Sequence, residues 1–414
     1  MLERVKTAVL VVLLAVLLLL AYRSFELMLP EAQQGGTEAS GGDEALVTPA
    51  ALPLKIALCT GSGTYMPLSD TERDELMLQL ERITGEALGS AGERSALTYE
   101  QYLTLLRGPA VLLVYDAELP FSLLRAWAGY EYAGIDAVVR SYAVAEEEGK
   151  VILAFRDETT GAYTRLKTAA DPDRLLRLCT ADYPRNAVFG FEDERLASIA
   201  PDEPVPVQAL SVPVLRVMPP AFVAAGELPR ELLKGFSLNP YLSKVYQEND
   251  GTLVYVEDYS ALRMTPSGAL RYRVTTGRGI ELLGIGEQSG NTNEVIAQAH
   301  ELVTSLWSLS GASGTLSLRQ ITTGKNNALE LSFCVVYRGV PVSDSSAAYL
   351  IVRDGAVSYL DLLPSVLTEQ SVVEMLPADQ LAAALPEAGR GARPAVRYIQ
   401  TGADVLMPVY GVVK

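Results

Sequence analysis

The feature that most constrains this chain is an uncharged apolar run at residues 8–22, AVLVVLLAVLLLLAY. Arg4 and Lys6 precede it, and Arg23 and Glu26 follow. A helix needs about 20 apolar residues to cross a bilayer, so a run of 15 is short. Leu2, Val5, Thr7 and residues 24–29 can extend it while Arg4, Lys6 and Arg23 snorkel outward. Two readings compete, a cleaved signal peptide and an uncleaved signal anchor. The residues after the core, LAYRSF, contain no small-x-small site, and no cysteine follows to take a lipid, which favours the anchor. Basic residues ahead of the run place the N-terminus in the cytoplasm and the body outside. The expectation is a single-pass protein of the cell membrane. Within the anchor, Ala8 and Ala15 lie seven residues apart, with Tyr22 continuing their stripe. Small residues on one helix face let a second membrane helix approach closely. The bland alternative is that two alanines among leucines and valines carry no interface.

Residues 31–52, rich in Gly, Ala, Ser and acids, have the composition of a flexible tether. No other apolar run is long enough to cross a membrane without a charge. From Pro53 onward there are 31 basic and 44 acidic residues, a net charge of −13. Such a body is repelled by phosphate backbones and by anionic headgroups, which excludes a nucleic-acid partner and leaves the apolar helix as the contact with lipid. One histidine (His300) and three cysteines (Cys59, Cys179, Cys334) rule out histidine-rich metal sites, cysteine-cluster metal sites and a disulfide scaffold. Buried free thiols are one reading of the cysteines, and a Cys59–Cys179 disulfide is the other.

From residue 53 the pattern alternates between strand-like and helix-like segments, an α+β class. Residues 54–59 (LKIALC) read as a strand. Ser69-x-x-Glu72 and Thr98-x-x-Gln101 open two helices with capping boxes, and Gly108-Pro109 stops the second. Residues 110–115 (AVLLVY) form a buried strand, 120–127 a short helix, and 137–145, 151–156 and 161–167 further strands. A helix at 172–178 follows, and the proline-rich stretch 201–220 marks a boundary. The second half repeats one helix followed by an antiparallel meander. In the first copy the helix is 229–236 and the strands are 253–257, 259–264 and 269–274. In the second the helix is 294–309, with strands 315–321, 329–337, 347–353 and 356–362, the last two joined by Asp354-Gly355. A truncated third copy has a helix at 378–385 and strands at 396–401 and 405–412. The expected organisation is therefore a stub and anchor (1–30), a linker (31–52), an α+β domain (53–212), and two helix-meander domains (213–290 and 291–414).

Three stretches carry a family resemblance: YVEDYSALRMTPSGALRYR (255–273), LSFCVVYRGVPVSDSSAAYLIVRDGAVSYL (331–360) and LMPVYGVV (406–413). With the anchor and the repeated units, the chain resembles the YycH-type regulatory proteins. These accompany the Walk-type sensor histidine kinase of low-GC Gram-positive bacteria, together with the related YycI. The resemblance implies a non-enzymatic accessory protein in cell-wall homeostasis, with a membrane histidine kinase and a YycI-like sister protein as partners. The Gly339-Val340-Pro341-Val342 corner is also similar to the hairpin of PepSY-type inhibitory domains.

No motif points to catalysis or to a cofactor. His300 lies at the margin of the apolar stripe of its helix, beside Ile296, Val303 and Trp307, as a structural histidine does. Residues 284–290 (GIGEQSG) imitate a dinucleotide loop without its third glycine or a surrounding βαβ unit and read as linker, and residues 323–327 read as a turn. Glu146-Glu147-Glu148-Gly149 is a charged hairpin tip and lacks the alternating ligands of a calcium loop. Three functions compete. The first is modulation of a sensor kinase through Ala8, Ala15, Tyr22 and the outer body. The second is an outer binding or inhibitory module for a peptide, protease or cell-wall fragment. The third is a hydrolase built on converging carboxylates.

Overall fold

A strand that is apolar at every position needs cover on both faces. The strand β4 (Pro109–Pro120), which contains AVLLVY, has it. The computed structural model describes residues 49–61, 63–130, 134–277, 279–282, 291–324, 326, 328–342, 346–385 and 391–413. There β4 lies inside a nine-stranded antiparallel sheet with β1 (Pro53–Thr60), β2 (Thr64–Tyr65), β3 (Arg94–Leu97), β5 (Val138–Glu147), β6 (Lys150–Arg156), β7 (Tyr163–Lys167), β8 (Ala187–Phe189) and β9 (Pro204–Pro206). The order is β3-β7-β6-β5-β4-β1-β2-β8-β9. Val111, Leu113, Val144 and Leu153 meet the helix α1 (Asp70–Gly89), which buries Leu76, Leu80, Ile83 and Ala87. The opposite face is a layer of small residues: Ala57, Cys59, Ala110, Ala143 and Ala145. It lets α2 (Tyr99–Leu106) settle close with Tyr102, Leu105 and Leu106. Both capping boxes form as the spacing predicts, Ser69 with Glu72 and Thr98 with Gln101. Two shorter helices, α3 (Phe121–Trp127) and α4 (Pro172–Cys179), complete the cover.

The second sheet has fourteen strands. After β10 (Leu210–Met218), α5 (Ala221–Ala225) and α6 (Arg230–Gly235) come β11 (Lys244–Gln247), β12 (Leu253–Glu257), β13 (Ser260–Met264), β14 (Leu270–Val274) and β15 (Ile280–Glu281). The helix α7 (Thr292–Leu309) precedes β16 (Thr315–Thr323), β17 (Leu329–Tyr337), β18 (Val340–Val342), β19 (Ala348–Arg353), β20 (Ala356–Leu362) and β21 (Val366–Met375). Last are α8 (Ala378–Ala384), β22 (Arg393–Gln400) and β23 (Val405–Val413). Pairing of β14 with β20, from Leu270↔Leu362 to Arg273↔Tyr359, joins the strands of both helix-meander units in one sheet. A β-carbon at Gly235 in α6 would stand 2.7 Å from Leu306 Cδ2 of α7, so the glycine permits the close contact of these helices.

Ionic contacts join the two sheets. The Lys55 ammonium on β1 meets the Glu203 carboxylate and donates to the carbonyls of Pro204 (3.2 Å) and Pro394 (2.6 Å). Arg393 on β22 meets both Asp202 oxygens at 2.8 Å and Glu203 at 3.1 Å, and Arg397 pairs with Asp116 of β4. The chain enters the described region between the sheets. Ala50 O accepts from Leu318 N of β16 (2.7 Å) and Leu52 N donates to Ser317 Oγ (2.9 Å), after which Pro53 opens β1.

The proline-rich stretch 201–220, expected as a boundary, holds both the last strand of the first sheet, β9, and most of β10, which belongs to the second. Pro213 is tolerated there because β10 pairs with β21 at that position and with β23 only at Leu215 and Arg216, leaving the side of its missing N–H open. The strands β2, β3, β8, β11, β15, β18 and β21 and the helix α5 were not foreseen. The three cysteines are free and buried, so Cys59 and Cys179 are not bridged. Among the described residues no helix is long and apolar enough to cross a membrane. The anchor with Ala8, Ala15 and Tyr22, and the loop 284–290, lie outside the described residues.

Candidate functional site

The face of α1 that leaves the sheet carries Asp70, Asp74, Leu78 and Glu81, at the spacing of one helical stripe. It borders a cavity of about 720 Å³ whose opposite wall includes Tyr115, Tyr142 and Trp127. The Tyr115 and Tyr142 rings stack with centroids 6.2 Å apart. Burial pushes the Tyr115 hydroxyl up to about 12 and that of Tyr142 well above its ordinary value, so both remain neutral donors. Trp127 is buried, and its Nε1–H has no hydrogen-bond acceptor among the described residues. A third wall comes from the second sheet through Thr315, Val336, Arg338 and Gly339. Gly85, in the last third of α1, also lines this space, and a β-carbon there would meet nothing within 4 Å.

Arg73 divides this cavity from a neighbour of about 500 Å³ that shares Asp70, Arg73, Arg338 and Gly339 with it. Its guanidinium donates to the carbonyls of Pro53 (2.6 Å) and Leu54 (3.4 Å), fixing α1 to the start of β1. It also lies against Gly339, where an added β-carbon would stand 2.7 Å from Arg73 Nη2. Arg338 and Gly339 both have positive φ (46° and 69°), as the two-residue turn joining β17 to β18 requires. The Gly339-Val340-Pro341-Val342 corner singled out in the sequence is thus a wall of the cleft. Burial raises the Asp70 carboxyl against the opposing pull of Arg73 and Arg338, and burial also lowers the Arg73 guanidinium from its ordinary value. Behind the corner, Arg338 pairs with Glu369 at 2.6 Å. An aromatic floor, an idle indole donor and a carboxylate rim equip this cleft to hold an amphipathic segment, with an acceptor for the indole and a cation for the rim.

The groups weighed for chemistry in the sequence do not converge on this cleft. His300 is buried in α7, its ring 5.7 Å from that of Phe333 and its Nε2 3.4 Å from Leu316 O. Burial lowers its pKa, so it is neutral at pH 7. Glu146 accepts from Gly149 N at 2.6 Å and Glu147 pairs with Arg165, as befits a hairpin tip. Among the described residues no group of three or more His, Cys, Asp or Glu is placed to hold a metal ion. Arg73, Trp127 and the Tyr115–Tyr142 pair were missed. The one signal available was the second stripe on α1, where the exposed Leu78 stands among acids.

The chain matches no known family model and no curated protein. Its fold is that of YycH from Bacillus subtilis as seen in the crystal structure. The match covers 91% of this chain and 99% of that one, with a TM-score of 0.55 and 10% identity. At that identity the likeness is one of fold.

Proposed function

We propose that this protein is a membrane-anchored, extracytoplasmic accessory protein that modulates a sensor histidine kinase of a two-component system. The observation that carries the reading is the fold shared with YycH along nearly the whole of both chains. The resemblance of residues 255–273 and 331–360 supports it, and the second of these stretches supplies β17–β20 and the corner beside Arg73. Modulation asks for no catalytic group and no cofactor. It asks for contacts that differ between two kinase states by about 1–3 kcal/mol. In this reading the anchor provides one contact through Ala8, Ala15 and Tyr22, and the outer body another, alone or with a YycI-like sister protein. The test is photo-crosslinking in cells from Ala8 and Ala15 of the full chain, with mass spectrometry of the adducts. A kinase transmembrane segment is the expected adduct. Recovery of lipid alone from both positions would remove the helix contact.

A second reading, a binding module for a peptide, protease or cell-wall fragment, is favoured by the cleft and its idle Trp127 donor. A side chain at Gly85 enters open space, so Gly85→Leu should fill the cleft without unfolding the chain. Loss of kinase modulation in Gly85→Leu would assign the cleft to the first reading. Intact modulation, with loss of a peptide-induced rise in unfolding temperature, would assign it to the second.

A further inference from the structure

The strand β11 ends the second sheet, and its outer edge faces no other strand among the described residues. All four of its residues are exposed, Val245 at 53% and Tyr246 at 50%. Tyr241, Leu242 and Tyr259 add further exposed apolar surface around its N-terminal end. An edge of this kind is a template for strand addition unless something covers it. On the inner side β11 pairs with β12 from Lys244↔Val256 to Gln247↔Leu253, and Glu248 N donates to Thr252 O at 2.8 Å. Backbone groups alternate in direction along a strand. Lys244, Tyr246 and Glu248 therefore turn theirs toward β12, and Val245 and Gln247 turn theirs outward.

We propose that this edge pairs antiparallel with the same edge of a second copy of the chain, about a two-fold axis at Tyr246. Directly opposed residues in an antiparallel pair point to the same face, so a two-fold axis normal to the sheet must pass through a pair of identical residues. Centring on Tyr246 sets Tyr246 against Tyr246, Val245 against Gln247 and Lys244 against Glu248. The outward N–H and C=O groups of Val245 and Gln247 then form four backbone hydrogen bonds across the axis. Each Lys244 meets the opposite charge of a Glu248 carboxylate, which within its own chain already accepts from Arg263 at 2.9 Å. Tyrosine faces tyrosine, and no like charges are opposed. A centre at Val245 sets Lys244 against Tyr246 and gains no ion pair, and a centre at Gln247 carries the pairing into the turn 248–251, so charge complementarity within the strand selects the Tyr246 register. Strand pairing of this length lies at the small end of interfaces, and the dimer is a reversible one.

The register is testable in the full chain in its own membrane. Opposed residues whose backbone groups point away from each other have Cα atoms about 4.5 Å apart, within reach of a disulfide. Tyr246→Cys should give a covalent homodimer on mild oxidation, whereas Val245→Cys should give several-fold less. The native thiols are buried and do not compete. In the Tyr246→Cys background, Lys244→Glu should lower the crosslinked fraction several-fold and Lys244→Glu with Glu248→Lys should restore it. A folding defect would not reverse on the charge swap. Equal crosslinking from positions 245 and 246, a mixed disulfide with a different protein, or monomer alone would overturn the proposal.

Discussion

Lys55 offers the sharpest test of how the two sheets are held together. It is 9% exposed and its partner Glu203 2%, and its ammonium also serves the carbonyls of Pro204 and Pro394. Lys55→Met leaves two carboxylates, Asp202 and Glu203, beside the Arg393 guanidinium, with the Tyr99 hydroxyl donating to Asp202 at 3.1 Å, and strips two carbonyls of a donor. Breaking a buried pair by removing one partner costs about 3–5 kcal/mol. Arg393 stays 3.1 Å from Glu203 and its side chain is 32% exposed, so part of the stranded charge remains compensated. The low end, about 3 kcal/mol, applies. Adding Glu203→Gln removes the stranded charge, so the double variant should cost less than the two single changes together, with a coupling of about 1–3 kcal/mol. The assay is urea unfolding of the full chain in detergent, read as a shift of midpoint at constant slope. A loss below about 1 kcal/mol for Lys55→Met, or strict additivity in the double variant, would refute the account of a buried, coupled network.

Other expectations follow from single residues. Gly339→Ala combines a positive φ of 69° with a β-carbon 2.7 Å from Arg73 Nη2. It should destabilise more than Gly149→Ala, where φ is 76° but nothing lies within 4 Å of the added carbon; equal melting temperatures for the two variants would contradict the Arg73 contact. Burial holds the His300 pKa below its unfolded value of about 6.5, so the folded state binds fewer protons. Its contribution is complete above about pH 6.5 and is lost as pH falls through the window below. His300→Phe should flatten the pH–stability curve in that window, and an unchanged slope would count against it. Burial pushes the thiols of Cys179 and Cys334 up to about 12 and about 11, and that of Cys59 well above its ordinary value. A thiol reagent should therefore label the chain only after denaturation, and labelling of the native protein would disprove this.

Much of the fold was legible because its signals are local. A capping box is read within four residues, and Ser69–Glu72 and Thr98–Gln101 each open their helix where the spacing places it. The Asp354-Gly355 and Glu148-Gly149 turns adopt paired positive φ as their residue types require. Uninterrupted apolar character in residues 110–115 meant burial on two faces, and the structure has both. What was missed depends on partners distant in sequence. The middle of β21, Thr368 to Ser371, is polar and carries no strand signal, and its pairing with β10, some 150 residues earlier in the chain, makes it a strand. The edge strand β11 is exposed on every residue, so alternation could not reveal it.

The sequence by itself determined most of the helices and the longer apolar strands, the two capping boxes, the tight turns, the acidic character of the body and its scarcity of histidine and cysteine, since each follows from residue type and spacing within a few positions. Tertiary structure alone decided that the two meanders share one sheet, that Lys55, Glu203 and Arg393 converge across more than a hundred residues, and that Arg73 stands against Gly339 to divide a cleft. The physical reason is that these contacts are set by the register of long-range strand pairing. That register is chosen by the burial of whole faces at once, and no short window of residues encodes it.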